Sequence, residues 1–475
     1  MKTIRYLRAA GPTACLLSVI LLVAGCGHKN TPLQPDLTPP PPIEVLKAVS
    51  LSDSSIQLYW LQPDYGGPAK YEVGYTTDPL ALVTEGGWKA STKVSFAAAN
   101  TYDFTVFGLK EATTYFFAMR SYDLAGNVSS TSILASARTD EAPPRFSQKW
   151  GSQGSGPGQF LNPSGIVVGT EPFSGREHLY VADAGNYRIQ SLDPLDGTFV
   201  SQWGSKCDLT TGEGCVDPDG SGPLEIGDGQ FGRIEGIAAD YWGNVYVADW
   251  TNHRIVKFDI NGNFLAKWPV VISVNGTQFD QAPSGIDIDP DGEIYVLAGK
   301  VIVYNLSGTV LGAIDLSLPN SGPYSMASDG RGDIYLATLY SDNGSFFKIS
   351  KNGALLGRWG GGSLPTCARG QLFVPEHIGV DALGNVYVPD GCGRAQKFDA
   401  NGTFLTSWGT SGAGDGQFDL PRDIVIDSDR LYVLEDSDPA SGRSQTRIQM
   451  FYSSHTYPRA MARKYGDRAV SSARR

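Results

Sequence analysis

The chain has 475 residues, 41% of them apolar, enough for two or three domains with buried cores. A formal net charge of −11 and a pI near 5.0 give a field that repels polyanions, so no nucleic-acid partner is expected.

Residues 1–26 read as a targeting segment. Lys2, Arg5 and Arg8 make a basic start, an apolar run covers 15–23, and small residues precede Cys26. The run is short for a membrane span. Leu22-Val23-Ala24-Gly25-Cys26 resembles a bacterial lipobox, which implies cleavage before Cys26 and lipidation of its thiol. In that family Gly27, rather than Asp, after the cysteine implies the outer membrane. The expected location is therefore the cell envelope, lipid-anchored, on the periplasmic side or the surface. Residues 27–42 end in Pro39-Pro40-Pro41-Pro42 and form an extended tether that lifts the rest off the bilayer.

Residues 43–139 alternate with a period of two. Ile56, Leu58 and Trp60 share a face, as do Tyr71, Val73 and Tyr75, and again Tyr102, Phe104 and Val106, which is the pattern of a β-sandwich. The segment containing Leu109, Thr113 and Tyr115 resembles the tyrosine corner of fibronectin type III domains, and Trp60 fits that family. The resemblance implies a spacer or binding module without chemistry of its own.

From 145 to 453 one unit repeats. Residues 236–268 contain four short β-rich runs cut by turn signals such as Gly243-Asn244 and Asn261-Gly262. The tyrosine of the second run recurs as Tyr180, Tyr246, Tyr295, Tyr335, Tyr387 and Tyr432, a spacing of about 40 to 65 residues. The fourth run recurs as a segment ending in Trp203, Trp268, Trp359 and Trp408, with a weaker copy at 310–314. There are six copies of runs one to three but only five fourth runs between them. The missing one lies ahead of the first copy, at 145–151, and ends in the same Trp150-Gly151. An N-terminal strand is therefore expected to complete the sixth blade and close the ring, which removes open edges.

These residues resemble the NHL-repeat family of six-bladed β-propellers. Asp-x-x-Asn-x-Arg-Ile occurs at 183–189 and 249–255, and Gly-x-Gly-Gln-Phe leads in at 156–160, 227–231 and 414–418. Copies three and four lack the Asn-x-Arg-Ile element. The expected fold is all-β: a fibronectin type III sandwich, then a six-bladed NHL-type propeller closed by its N-terminal strand. Residues 454–475, with Arg459, Arg463, Lys464, Arg468, Arg474 and Arg475 against Asp467, read as a frayed basic tail.

Candidate sites follow from this frame. Linkers and second-to-third-strand loops of a propeller emerge on one face, so disulfides Cys207–Cys215 and Cys367–Cys392 are expected in an exported protein. Asp217, Asp219, Ser221 and Glu225 place oxygen donors around a glycine turn, a candidate Ca²⁺ loop; no other cofactor is expected. The positions just before each inner strand should ring the channel mouth. They give Glu235, Tyr324, Glu376 and Arg422, with His377 and Asp423 one step further, a polar set a core would not need.

A related propeller enzyme, the peptidyl-hydroxyglycine lyase, holds zinc with three histidines, two of them at this ring position. Here Glu or Ser stands at those places, so the resemblance does not extend to zinc chemistry. No Gly-x-Ser-x-Gly, His-Glu-x-x-His or phosphate-loop pattern is present. The expected function is non-catalytic binding of an envelope protein, peptide or glycan by the linker face. The alternative is a metal-assisted lyase or hydrolase using the same ring.

Overall fold

The computed structural model describes residues 37–44, 46–61, 68–97, 102–172, 174–209, 211–216, 227–274, 277–316, 318, 322–338, 344–361, 367–436 and 445–453. Cys26, the Asp217–Glu225 loop and the basic tail lie outside them. No helix among the described residues is long and apolar enough to cross a membrane.

Leu46–Ser50, Ser55–Trp60 and Asp103–Phe107 form one antiparallel sheet, and Thr92–Ala97, Lys70–Thr76, Thr114–Tyr122 and Ala135–Arg138 form a second. Ile56, Leu58, Trp60, Tyr71, Val73 and Val106 are buried between them as the alternation requires. Tyr102 is a correction: it precedes its strand and is 52% exposed, because the alternating register begins only at Asp103. The Tyr115 hydroxyl accepts the Lys110 backbone N–H at 2.9 Å, tying the corner down. A short helix, Glu85–Ala90, is capped by Thr84 and anchored by buried Trp88.

Most of the remaining strands make six four-stranded antiparallel blades around a central channel, and the others form three two-stranded pairs in the lead-ins to blades one, two and three. The inner strands are Gly165–Thr170, Ile234–Ala239, Gly285–Ile288, Ser325–Ser328, Gly379–Val380 and Pro421–Asp427, and they neighbour one another around the full ring. Blade six is completed by Arg145–Trp150, which pairs with Arg447–Tyr452 in the register Ile448↔Trp150 to Tyr452↔Arg145. The chain thus closes on itself as the counting required.

Each repeated residue has a packing role. The hydroxyls of Tyr246, Tyr295 and Tyr387 donate to Asp240, Asp289 and Asp381 in the turn just before, at 2.9 to 3.1 Å. The outer-strand tryptophans lie against turn glycines of the following blade. A Cβ on Gly197, Gly262, Gly308 or Gly402 would come within 2.1 to 2.7 Å of Trp150, Trp203, Trp268 or Trp359 respectively. In the Asp-x-x-Asn-x-Arg element, Asp249 accepts from Asn252 and Arg254, while the Arg254 guanidinium caps the Gln230 carbonyl of the lead-in. This element ties linker to blade and belongs to the scaffold. Blade three departs: its lead-in is the hairpin Val271–Val274 with Thr277–Asp280, and Phe279 is 49% exposed where Phe160, Phe231 and Phe418 are fully buried. Blade five carries an unforeseen version, Gly370-Gln371-Leu372, with Leu372 buried and Arg394 donating to the Gln371 carbonyl.

The sandwich meets the propeller at blade five. Glu141 donates its N–H to the Leu405 carbonyl at 2.9 Å and pairs with Lys397, while Arg369 reaches the Ser50 carbonyl and the Asp140 carboxylate. Leu405 is consequently buried, whereas Leu265 and Leu356 at the equivalent place on blades two and four are about half exposed.

Candidate functional site

The two expected disulfides are both formed, Cys207–Cys215 and Cys367–Cys392, and both brace linker-face loops. The second ties the lead-in of blade five to its second-to-third-strand loop, beside Arg394, which donates to the Cys367 carbonyl.

The mouth residues do come together. Glu235 and Arg422 sit within the first residues of their inner strands, not just before them, and the register slips around each, between Ile234 and Gly236 and between Pro421 and Asp423. Such bulges re-aim a side chain, and here both turn towards the channel mouth. The Tyr324 hydroxyl donates to Glu235 Oε2 at 2.7 Å, and Arg233 pairs with Glu235 Oε1. Arg422 donates through Nε to Glu376 at 2.6 Å and through Nη1 to Asp436 at 2.9 Å. Sequence reasoning missed Arg233 and Asp436; Arg233 lies two residues before Glu235, and Asp436 follows the strand that pairs with that of Arg422, so both are near neighbours of residues already singled out.

Burial pushes the Glu235 carboxyl up, opposed by the Tyr324 hydrogen bond and by Arg233 and Arg422. The Tyr324 phenol is also raised, by burial and by the Glu235 charge. For Arg422 burial pulls down, but Glu376 and Asp436 more than offset it and hold the guanidinium charged. Each carboxylate of the mouth therefore already has a cationic or hydroxyl partner. Among the described residues no group of three His, Cys, Asp or Glu is arranged to hold a metal ion.

Below the mouth the channel encloses about 290 Å³, lined by the inner strands and the residues flanking them, with His377, Asp423, Asp287 and Asp381 as the ionisable groups of its lining. Asp423 accepts the backbone N–H groups of Ile166 and Ile424 at 2.9 and 2.8 Å, and burial still raises its pKa to about 7. His377 is held down to about 3 by burial and by Arg422. Its Nδ1 lies 3.6 Å from Asp423 Oδ1, beyond hydrogen-bond reach, so the two are a polar pair rather than a salt bridge. Asp287, accepting from the Ser328 N–H and hydroxyl, is pushed by burial to about 6.

No protein-family model matches the chain. Over 94 residues it is 37% identical to Protein lin-41 of Caenorhabditis elegans, a match covering 18% of this chain. The chain spans only 8% of the length of that curated relative. Among solved structures it is similar to virginiamycin B lyase from Staphylococcus aureus, at 11% identity and a TM-score of 0.40, over 72% of this chain and 92% of that one. A gluconolactonase from Xanthomonas campestris aligns at 15% identity and 0.41, over 66% and 95%.

Proposed function

We propose that this is an envelope-anchored lipoprotein whose propeller binds an envelope protein, peptide or glycan through its linker face, without catalysing a reaction on it. The observation that carries the reading is the mouth network: side chains from blades two, four, five and six converge there on a closed, rigid ring. Rigid convergence of diverged loops suits recognition. The sandwich is read as a fibronectin type III spacer, supported by its three-on-four sheets and the Tyr115 corner, and the blades as NHL repeats, supported by the Asp249-Asn252-Arg254 bonding. The Cys26 anchor rests on the lipobox resemblance, and a Ca²⁺ role for Asp217, Asp219, Ser221 and Glu225 on their sequence alone. Crosslinking of intact cells, comparing the native chain with a Glu235→Gln, Glu376→Gln, Arg422→Gln variant of unchanged circular dichroism, tests the reading. Loss of a specific adduct in the variant supports it; identical adducts place recognition elsewhere. Radiolabelled palmitate should enter the native chain and not Cys26→Ala.

The second reading, a lyase or hydrolase, is favoured by one feature, the Asp423 carboxyl poised near neutrality beside the neutral His377 ring. Metal analysis of the full chain purified without chelator separates the two: a stoichiometric transition metal lost in Glu235→Gln and Glu376→Gln variants would support the enzyme.

A further inference from the structure

Beside the mouth a second cavity of about 390 Å³ opens between blades six, one and two. Its walls include Asn162 and Ser164 from the lead-in of blade one, Tyr187 from that blade's second-to-third-strand loop, and Arg233, Arg422 and Asp436. The Arg233–Glu235 and Arg422–Asp436 pairs of the mouth line it without filling it. The Ser164 hydroxyl is buried, with the residue only 6% exposed, and has no hydrogen-bond partner. A buried hydroxyl left so costs free energy that a ligand atom would recover.

The two guanidinium groups on the walls are only part-used. Glu235 spends one oxygen on Arg233 and the other on Tyr324. Arg233 uses Nε for Glu235, and Arg422 uses Nε and Nη1 for Glu376 and Asp436. Among the described residues, both Nη groups of Arg233 and the Nη2 of Arg422 make no hydrogen bond. The Arg233 side chain is 57% exposed and its guanidinium lies 5.5 Å over the Trp250 ring. Two part-used guanidinium forks and a hydroxyl facing one cavity match the oxygens of a carboxylate. Tyr187, on the cavity wall, offers flat apolar surface to a ring. Asn162 and Tyr187 both hold left-handed backbone, at φ 45° and 54°, which fixes the cavity wall at some conformational expense.

We propose that this cavity binds a carboxylate-bearing sugar unit of an acidic glycan, with Arg233 and Arg422 on the carboxylate, Ser164 on a ring or carboxyl oxygen, and Tyr187 against the ring. This rests on the linker-face binding reading and narrows it to a ligand class and a position. A sugar is favoured over a peptide C-terminus because the Tyr187 ring stands in the same cavity as the carboxylate site, as a pyranose bearing its own carboxylate needs.

The test is a titration of the full chain in detergent micelles with glucuronate-, galacturonate- and mannuronate-containing oligosaccharides. The same oligomers with carboxyls reduced to hydroxymethyl groups, and a hexapeptide library with free C-termini, run in parallel. At least one acidic oligomer should bind, and carboxyl reduction should weaken it tenfold or more. Arg233→Gln, compared with the native chain at a temperature where circular dichroism shows both folded, should weaken it likewise, with Arg233→Lys, which keeps the charge beside Glu235, recovering only part. Equal binding of reduced oligomers, no effect of Arg233→Gln, or no acidic oligomer bound would overturn the proposal. Peptides bound in their place, lost in Arg233→Gln, would overturn it too while leaving the linker-face reading intact. A ligand lost only in the Glu376→Gln variant would place recognition on the channel mouth; a ligand indifferent to both would remove the linker-face reading itself.

Discussion

Tyr324 and Glu235 join blade four to blade two across the channel mouth through a single 2.7 Å hydrogen bond. Glu235 is 3% exposed, so removing that donor leaves a buried carboxylate oxygen without its partner. Tyr324→Phe should therefore destabilise the propeller by about 1–3 kcal/mol in chemical denaturation. Tyr304→Phe makes the opposite control. Its hydroxyl is buried without a partner, so its loss should be neutral or slightly stabilising. Equal losses in both variants would show that the bridge contributes nothing beyond ring packing.

Ring closure should dominate the stability of the propeller. Deleting 145–151 removes the outer strand of blade six and exposes the edge of Arg447–Tyr452, where Phe146 and Trp150 pack on Phe451 and Tyr432. The truncated chain should melt well below the parent and aggregate as it does so, read by calorimetry and light scattering. A truncated chain that melts like the parent would mean that the five intact blades and the three-stranded remnant close without it.

The architecture was legible because burial repeats in register. A tyrosine that must reach a turn aspartate and a tryptophan that must lie on the next blade's glycine recur at fixed places, and counting them exposed the missing strand. The mouth was legible only as a set of positions. Its pairing was not, because Glu235 and Arg422 are aimed by bulges that no local pattern announces, and because Tyr324 and Glu376 reach them from other blades only once the ring has closed. The helix Glu85–Ala90 was hidden for a related reason. Gly86 and Gly87 give it poor intrinsic propensity, and burial of Trp88 against the sandwich overrides that. In the sequence Thr277-Gln278-Phe279 stands where the other lead-ins have Gly-Gln-Phe, yet the lead-in to blade three is a hairpin that leaves Phe279 half exposed.

The Gly402–Trp359 contact carries a prediction of its own. Gly402 has φ +76°, and an added Cβ would stand 2.1 Å from the Trp359 ring. Gly402→Ala should cost about 2–4 kcal/mol, from left-handed strain together with overpacking. Gly312→Ala, with nothing within 4 Å of its Cβ and no positive φ, should change stability by less than about 1 kcal/mol. Comparable losses at both sites would show that the blade contact yields more readily than its geometry implies.

The channel pair should leave a signature in the dependence of stability on pH. His377 is held neutral down to about 3 in the folded chain, against about 6.5 when unfolded. The folded state thus binds fewer protons over that window, and the histidine's contribution is full above about 6.5 and lost as pH falls towards 3. Asp423 runs the other way. Its folded pKa of about 7 lies above the unfolded value of about 3.9, so its contribution is full at low pH and lost as pH rises to about 7. In the native chain the two slopes oppose each other between about 4 and 6.5. His377→Gln removes the first slope and leaves the second. Relative to the parent, the variant should therefore gain about 1–2 kcal/mol between pH 6.5 and 5, whatever its absolute loss at neutral pH from altered packing. Denaturant midpoints at half-unit steps would read this directly. A difference between variant and parent that stays constant across the window would mean that His377 titrates in the folded channel much as it does in the unfolded chain, and that water already fills the space around it.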